Sequence, residues 1–418
     1  MATHSVTAPQ TIVIAGAGLA GAKAAQTLRE EGFDGRVVLL GAEHERPYER
    51  PPLSKEVLRG EAPREKAYVH DATYYDEHAI ELRTGTSVEA VDTRAAEVVL
   101  AGGGRLRYDA LLLATGARPR RLTLPGADLE GVHELRTLAD CEALRDRMQD
   151  GARLAVIGAG WIGCEVAASA RQRGLEVTVV EPLSVPLERV LGAEVGAVYR
   201  DLHAGRGVRL LLGHGVAGFE GDGCVSAVRT DDGERIDCDL VVVGVGVTPR
   251  TELAQRAGIA VGDGIVVDEY LRTSRPAVFA AGDVATADHP LWQCSIRVEH
   301  WANALNQGPA AARNMLGARV AYDRIPYFFS DQYDVGMEYS GYAPRWDEVV
   351  VRGDPAAREF IAFWLRDGRV LAGMNVNVWD VTDQIQALVR SGEAVDRRRL
   401  ADPDCPLTDV LPSAARGT

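Results

Sequence analysis

Two short stretches with the same glycine spacing constrain this chain more than anything else in it. Thr11 to Gly21 reads TIVIAGAGLAG, and Leu154 to Gly163 reads LAVIGAGWIG. In the first, Ile12 to Gly16 has the composition of a buried strand, and Gly16, Gly18 and Gly21 give the spacing G-x-G-x-x-G. Gly158, Gly160 and Gly163 repeat it. A strand, a tight glycine turn and a helix N-terminus make a seat for a pyrophosphate. The first glycine permits the turn, the second lets the backbone approach the phosphates, and the third lets helix pack on strand. One such motif is compatible with a plain αβ turn. Two copies, each in a βαβ context, imply two dinucleotides, and a protein that holds two dinucleotides moves electrons between them.

The rest of the chain follows this duplication. After the first turn a helix runs to about Glu31, GFDG forms a turn, and Arg36 to Leu40 is the second strand. It leads to Glu43, placed to accept hydrogen bonds from an adenosine ribose; a solvated loop carboxylate is the plain alternative. In RPYERPPLSKEVLRG, residues 46–60, Pro51 and Pro52 stiffen the approach to a short helix that Ser54 could cap. Lys55 is poorly placed for the helix dipole. It is either a surface lysine or a cation held beside a bound cofactor. Residues 86–108 read as an antiparallel meander, and Asp109 to Ala114 as a buried strand ending in Thr115-Gly116-Ala117.

The second half repeats the plan. A helix spans 162–173, a strand spans 175–180 and ends at Glu181, and residues 208–237 form a second meander. LVVVGVGV, residues 240–247, then answers LLLATGA. A strand at VFAAGDVA presents Gly282-Asp283, and residues 299–315 form a helix rich in small residues. From Ile325 the texture changes to clustered aromatics. Strands follow at 348–352, 358–365 and 369–378, with Asp367-Gly368 as a hairpin turn and a helix at 380–391. The tail after about Asp402 is expected to pack loosely.

At 418 residues the chain is too long for one ordinary domain. Its net charge of −14 argues against nucleic acid or an anionic membrane as partner. The first ten residues lack the apolar segment of a signal peptide, no run is long enough to span a membrane, and the cytoplasm is the default compartment. The six cysteines, Cys141, Cys164, Cys224, Cys238, Cys294 and Cys405, form no close pair. That spacing removes metal binding and a dithiol relay from the reading.

GAGLAG, RPYERPPLSKEVL, LLLATGARPR, IGAGWIGCEVAA, GVGVTP, VFAAGDVA and FFSDQYDVGMEYSG stand in this order along the chain. In these motifs it resembles the bacterial NADH-dependent ferredoxin reductases over nearly its whole length. The resemblance implies an α/β fold with two Rossmann-like dinucleotide-binding domains, the second inserted in the first, and a C-terminal α+β domain. The expected boundaries are 1–117 and 248–325 for the FAD domain, 118–247 for the NAD domain and 326–418 for the third. It further implies FAD on Gly16, Gly18, Ala20, Gly21 and Glu43, with Val88, Ala114, Thr115, Gly116 and Arg136 lining the site and Arg50 and Gly282 contributing. Lys55 would sit beside the flavin ring, Asp283 near the ribityl chain or pyrophosphate, and Trp301 near the ring's dimethylbenzene or pyrimidine side. NAD would lie on Gly158, Gly160, Trp161, Ile162, Gly163, Glu181 and Gly246. Glu165 would approach the nicotinamide and pair with Lys55, the two forming the catalytic set. Trp161 stands where many members carry Tyr or Val, and Phe329 replaces a tryptophan common before the SDQ motif.

The expected activity is FAD-dependent transfer of electrons from NADH to a two-iron ferredoxin serving a cytochrome P450 or a ring-hydroxylating dioxygenase. An NADH oxidase or peroxidase, a reductase for another acceptor such as rubredoxin, and a redox-sensing interaction protein like apoptosis-inducing factor are the alternatives. Peroxidase-type members need a reactive cysteine in the FAD domain, and residues 35–60 contain none. The ferredoxin and oligomeric state, monomer or weak dimer, stay open. An acidic partner requires a local basic face, for which Arg50, Arg64, Lys66, Arg297, Arg313 and Arg345 are candidates.

Overall fold

The computed structural model describes residues 9–411. The readings of the first eight residues and of the last seven lie outside the described residues. The chain forms two units. The first takes the chain up to Glu49, then Ala67–Arg118 and Thr248–Arg324; the second takes Arg50–Lys66, Pro119–Val247 and Ile325 onward.

In the first unit a five-stranded parallel sheet has the order Val278–Ala280, Ala110–Leu113, Thr11–Ala15, Arg36–Leu40, Ile80–Arg83. The central strand is buried on both faces, with Ile12, Val13 and Ile14 fully shielded. This is why it reads as an unbroken apolar run and not an alternation. Helix Leu19–Glu30 packs along helix Trp301–Met315. Their small residues have a steric reason. A Cβ on Gly308 would lie 2.2 Å from the Ala20 carbonyl oxygen. The meander is present as Val88–Asp92, Glu97–Leu100 and Arg105–Arg107.

The second unit repeats the parallel sheet, in the order Arg209–Leu212, Glu176–Glu181, Arg153–Ile157, Leu240–Val243, Val132–His133. Here one expectation fails. Arg209–Leu212 belongs to this parallel sheet, paired with Glu176–Glu181, and only Val216–Asp222, Cys224–Thr230 and Arg235–Asp237 form the meander. Gly213, at φ +80°, breaks the chain between the two. The third domain is an antiparallel sheet ordered Tyr327–Gln332, Val335–Gly341, Arg369–Val376, Glu359–Arg366, Glu348–Asp354, with helix Thr382–Ser391 against it. Asp367 and Gly368 both have positive φ, as a tight two-residue turn requires. As far as the described residues go, up to Leu411, the tail is not loose as expected. The Arg352 guanidinium donates to the carbonyls of Asp402, Pro403 and Cys405, and Leu407 and Val410 are buried.

The glycines of each motif divide by role. Gly16 has φ +125°, and a Cβ there would lie 2.1 Å from the Ala114 carbonyl oxygen. A Cβ on Gly21 would lie 2.0 Å from the Gly16 oxygen. Around Gly18 nothing lies within 4 Å. The second copy matches: Gly158 at φ +96° meets the Gly244 oxygen at 2.6 Å, Gly163 meets the Gly158 oxygen at 2.0 Å, and Gly160 has only one atom, at 4.0 Å. The outer glycines are therefore required by the fold and the middle ones are not. Gly21→Ala should lower the urea-unfolding free energy of the cofactor-free protein by an overpacking cost of about 1–3 kcal/mol. Gly18→Ala should leave it nearly unchanged. The reverse order in equilibrium unfolding would defeat this assignment.

Candidate active site

The centre of the site is a buried ion pair. Segment Arg50–Lys66 begins with the 3₁₀ turn Pro51–Ser54 and continues into the short helix Glu56–Arg59. Lys55 is the break between them, at φ −122° and ψ −120°, and its side chain turns inward. Its ammonium lies 2.8 Å from Glu165 Oε2. The two side chains are 9% and 5% exposed, so this is not a surface lysine. Ser54 does not cap the helix as expected. Its hydroxyl donates to Glu165 Oε2 at 2.5 Å, while its carbonyl accepts from the Ser169 hydroxyl at 2.7 Å. Ser330, from the third domain, donates to Glu165 Oε1 at 2.6 Å. The Lys55 ammonium also lies 5.5 Å from the centre of the Phe329 ring, within cation–π range.

Glu165 sits on helix Trp161–Gln172, which the second glycine turn opens. Gly160 is the N-cap of that helix and Gly18 that of Leu19–Glu30, and neither cap carries a side-chain hydrogen bond. The front of each middle glycine is open enough for another group to approach the backbone. Both turns thus fit a pyrophosphate. At the end of the adjoining strand, Glu181 is buried and oriented by the turn itself. Its Oε2 accepts from Ala159 N at 2.7 Å and its Oε1 from Leu183 N at 3.1 Å. In the first unit Glu43 accepts from the Tyr48 hydroxyl at 2.5 Å.

The other expected residues divide between the two units. Gly16, Gly18, Ala20, Gly21, Glu43, Val88, Ala114, Thr115, Gly116, Gly282, Asp283 and Trp301 belong to the first unit. Thr115 Oγ1 donates to the Arg250 carbonyl at 2.9 Å, and the Gly116 carbonyl accepts from Arg250 N at 2.9 Å, which fixes the end of that strand. Gly282 N donates to Gln307 Oε1 at 2.8 Å, so a buried glutamine of helix Trp301–Met315 holds the Gly282-Asp283 turn. Arg50, Lys55, Arg136 and the whole expected NAD set belong to the second unit. Arg50 donates to the Arg136 carbonyl. Gly246, at φ +99°, accepts on its carbonyl from Arg120 N at 2.9 Å. Ile162 is 44% exposed beside the turn. The Trp161 ring packs on third-domain Phe328 at 5.0 Å and edge-on to Tyr199 at 6.0 Å.

Sequence reasoning missed Ser330, Gln332 and His203, all buried. Gln332 Nε2 donates to Ser330 Oγ at 3.2 Å, and His203 Nε2 bonds Gln332 Oε1 at 2.9 Å. The signal for the strand residues was an alternation in YFFSDQ: Phe328, Ser330 and Gln332 point inward while Asp331 is exposed. His203 carried no local signal. Among the arginines proposed for a basic face, Arg297 has a side chain only 9% exposed and bonded to Glu299 and Asp263. Arg64 pairs with Glu142 and Arg313 with Glu31. Lys66 and Arg345 are exposed.

Two glycine turns and a buried cation–carboxylate pair on the second define a two-dinucleotide oxidoreductase. The chain belongs to the pyridine nucleotide-disulphide oxidoreductase family, which it matches over residues 10–308, and residues 327–411 match the reductase C-terminal domain. It is 43% identical over 405 residues to the anthranilate 1,2-dioxygenase system ferredoxin–NAD(+) reductase component of Burkholderia cepacia, covering 96% of this chain and 98% of that one. It is 37% identical over 413 residues to putidaredoxin reductase of Pseudomonas putida, covering 97% and 98%. Among solved structures, the covalent putidaredoxin reductase–putidaredoxin complex superposes with a TM-score of 0.94 at 37% identity, covering 98% of this chain and 99% of that one.

Two predictions follow from the geometry. Removing one member of the buried pair strands the other, at a cost of about 3–5 kcal/mol; removing both strands neither. Lys55→Met and Glu165→Leu should each destabilise strongly, and the double variant by far less than their sum. Additive unfolding free energies would show the pair to be uncoupled.

The second concerns acid. Burial lowers the His203 pKa to about 4. Unfolded histidine takes up its proton near 6.5. Between these values the unfolded state binds more protons, so stability falls as the pH drops from about 6.5 to 4, by roughly 3 kcal/mol from this group. His203→Gln should flatten ∂ΔG/∂pH near pH 5 by about 1.2 kcal/mol per pH unit. An unchanged slope would contradict it.

Proposed function

We propose that the chain is an NADH-dependent, FAD-containing reductase that supplies single electrons to a two-iron ferredoxin of a cytochrome P450 or ring-hydroxylating dioxygenase system. The observation that carries this reading is the Lys55–Glu165 pair, set on the helix of the second glycine turn and completed by the third domain. The likeness to ferredoxin reductase components supports it over nearly the whole chain. The cytoplasm is the proposed location; among the described residues, no helix is long and apolar enough to cross a membrane.

The turn over Gly16, Gly18 and Gly21 would hold the FAD pyrophosphate, and that over Gly158, Gly160 and Gly163 the NADH pyrophosphate. We assign 1–117 and 248–325 to the FAD domain, 118–247 to the NAD domain and 326–418 to the third domain. Bound together, the cofactors supply hydride acceptance and its release one electron at a time, so that NADH and two oxidised ferredoxins give NAD⁺, two reduced ferredoxins and one proton.

The chain's own residues bind, orient and balance charge. The Ala20 side of the first turn and Glu43 would hold the adenosine end of FAD, with Val88, Ala114, Thr115, Gly116, Gly282, Asp283, Arg50, Arg136 and Trp301 completing that site. Glu181 would accept both hydroxyls of the NADH ribose, and it repels a 2′-phosphate. Trp161, Ile162 and Gly246 would border the nicotinamide half. Lys55 would carry the positive charge that opposes charge gained on reduction. Glu165 neutralises it at rest, so that neither charge is stranded.

No thiol is needed. Cys141 and Cys238 are buried, which raises their pKa values to about 11 and keeps them protonated. The test is NADH oxidation with and without a two-iron ferredoxin under air. Turnover should depend on the ferredoxin; equal turnover with oxygen alone would identify an oxidase instead. NADH should be preferred to NADPH in kcat/KM. Glu181→Ala should narrow that preference by roughly the 1–3 kcal/mol of a charged hydrogen bond. Equal use of both cofactors by the unaltered protein would contradict the role of Glu181.

A further inference from the structure

The hydrogen bonds on the Glu165 carboxylate do not stop at Ser330. They continue through Gln332 to His203 and Tyr333, and their polarity is fixed from one end. Glu165, as half of an ion pair, only accepts. Ser330 must therefore give it the hydroxyl proton across 2.6 Å. The Ser330 oxygen is then an acceptor for Gln332 Nε2, at 3.2 Å. That turns Gln332 Oε1 toward His203, which must donate from Nε2–H across 2.9 Å. His203 Nδ1 is left as the acceptor for the Tyr333 hydroxyl, at 3.3 Å. Each link forces the next, and every donor points toward Glu165.

The links come from three parts of the second unit. Glu165 is on helix Trp161–Gln172, Ser330 and Gln332 share the inward face of strand Tyr327–Gln332, and His203 is on helix Glu188–Gly205. Glu165, Ser330, Gln332 and His203 are each 5% exposed or less. The far end is pinned. Tyr333 has φ +58° in the tight turn after Gln332, Arg206 lies 5.2 Å from its ring centre, and Arg206 also pairs with Asp334. Arg206 at that end is thus paired, and Arg171 is the other cation that acts on Tyr333. An amide cannot pass a proton along readily, so the chain orients and does not conduct.

We propose that His203 and Gln332 are positioning residues for the reductase, holding the Glu165 carboxylate, through Ser330, in the orientation in which it meets Lys55. The inference rests on the reading of Lys55 and Glu165 given under Proposed function. It extends the working site to a histidine and a turn that belong to neither glycine motif.

The test is anaerobic stopped-flow reduction of the FAD-loaded, full-length protein by NADH. His203→Phe fills the volume without the donor and should slow the limiting rate about tenfold, the order expected for one lost buried hydrogen bond. The apparent affinity for NADH should hardly move. His203→Gln keeps a donor at the same reach and should recover most of the rate. In a Ser330→Ala background, where the chain is already cut, His203→Phe should add little. An equal loss in both backgrounds, or no recovery with Gln, would overturn the proposal. Glu165→Gln separates the two readings. If it leaves the rate intact, the proposed role of the pair falls and this inference with it. If it slows reduction while His203→Phe does not, this inference alone falls. Nitrogen NMR of ¹⁵N-histidine protein checks the unaltered chain: His203 should be neutral with the proton on Nε2 at pH 6 to 8. An Nδ1–H or charged ring there would refute the chain's polarity, whatever the variants do.

Discussion

An ammonium and a carboxylate removed from water each lose several kcal/mol of hydration, and only close pairing with full hydrogen bonding restores it. Lys55 and Glu165 pair at 2.8 Å, and much of the second unit is arranged so that they can. Lys55 reaches inward because Pro51 and Pro52 set a stiff turn and the chain breaks at Lys55 itself. Glu165 is presented by the helix that the second glycine turn starts. It also accepts from Ser54 and from Ser330, one from the same segment as the lysine and one from the third domain. A segment that follows the first dinucleotide motif in sequence is thereby bound to the second. Ser169 and Arg173, on and at the end of the same helix, add bonds to the Ser54 and Leu58 carbonyls.

The two glycine turns show how one solution serves twice. In each, the first and third glycines are fixed by carbonyl oxygens that a Cβ would strike, and the middle glycine by nothing in the protein. A residue whose smallness the fold does not require is explained by what approaches it from outside. This separates a dinucleotide turn from a plain αβ turn, which the glycine spacing alone does not do.

What the sequence made legible was what local chemistry determines. Glycine turns, apolar strands between them, the carboxylates at strand ends and the Asp367-Gly368 hairpin all carry their reason within a few residues. Arg209–Leu212 was misread because an edge strand of a parallel sheet and a meander strand look alike over four residues; only the neighbour differs. The packing of residues 403–411 was not legible because their anchor, Arg352, lies some fifty residues upstream. The Lys55–Glu165 pairing came from resemblance and not from spacing. Its supports were invisible for the same reason as the tail's anchor. Ser54 looked like a helix cap because it precedes a helix, and only the tertiary structure offers it a carboxylate instead. His203 is one histidine in a long amphipathic helix, and nothing near it in sequence announces Gln332.

The charge distribution sets the remaining constraint on function. The chain carries 60 acidic and 46 basic residues, so its far field is negative and an acidic ferredoxin is repelled at long range. Counting arginines does not reverse this, because three of the five candidate arginines already pair with carboxylates. Arg64 and Arg313 face carboxylates, Arg50 bonds a backbone carbonyl, and Arg297 is buried between Asp263 and Glu299. A paired surface arginine contributes little field beyond a few ångströms, and salt screens what remains within about 10 Å. Among these candidates Lys66 and Arg345 are exposed, and any pull from them on an acidic carrier would act at short range. Such an arrangement favours a small contact that forms and separates quickly, which suits a reductase that must discharge two electrons to two successive one-electron partners.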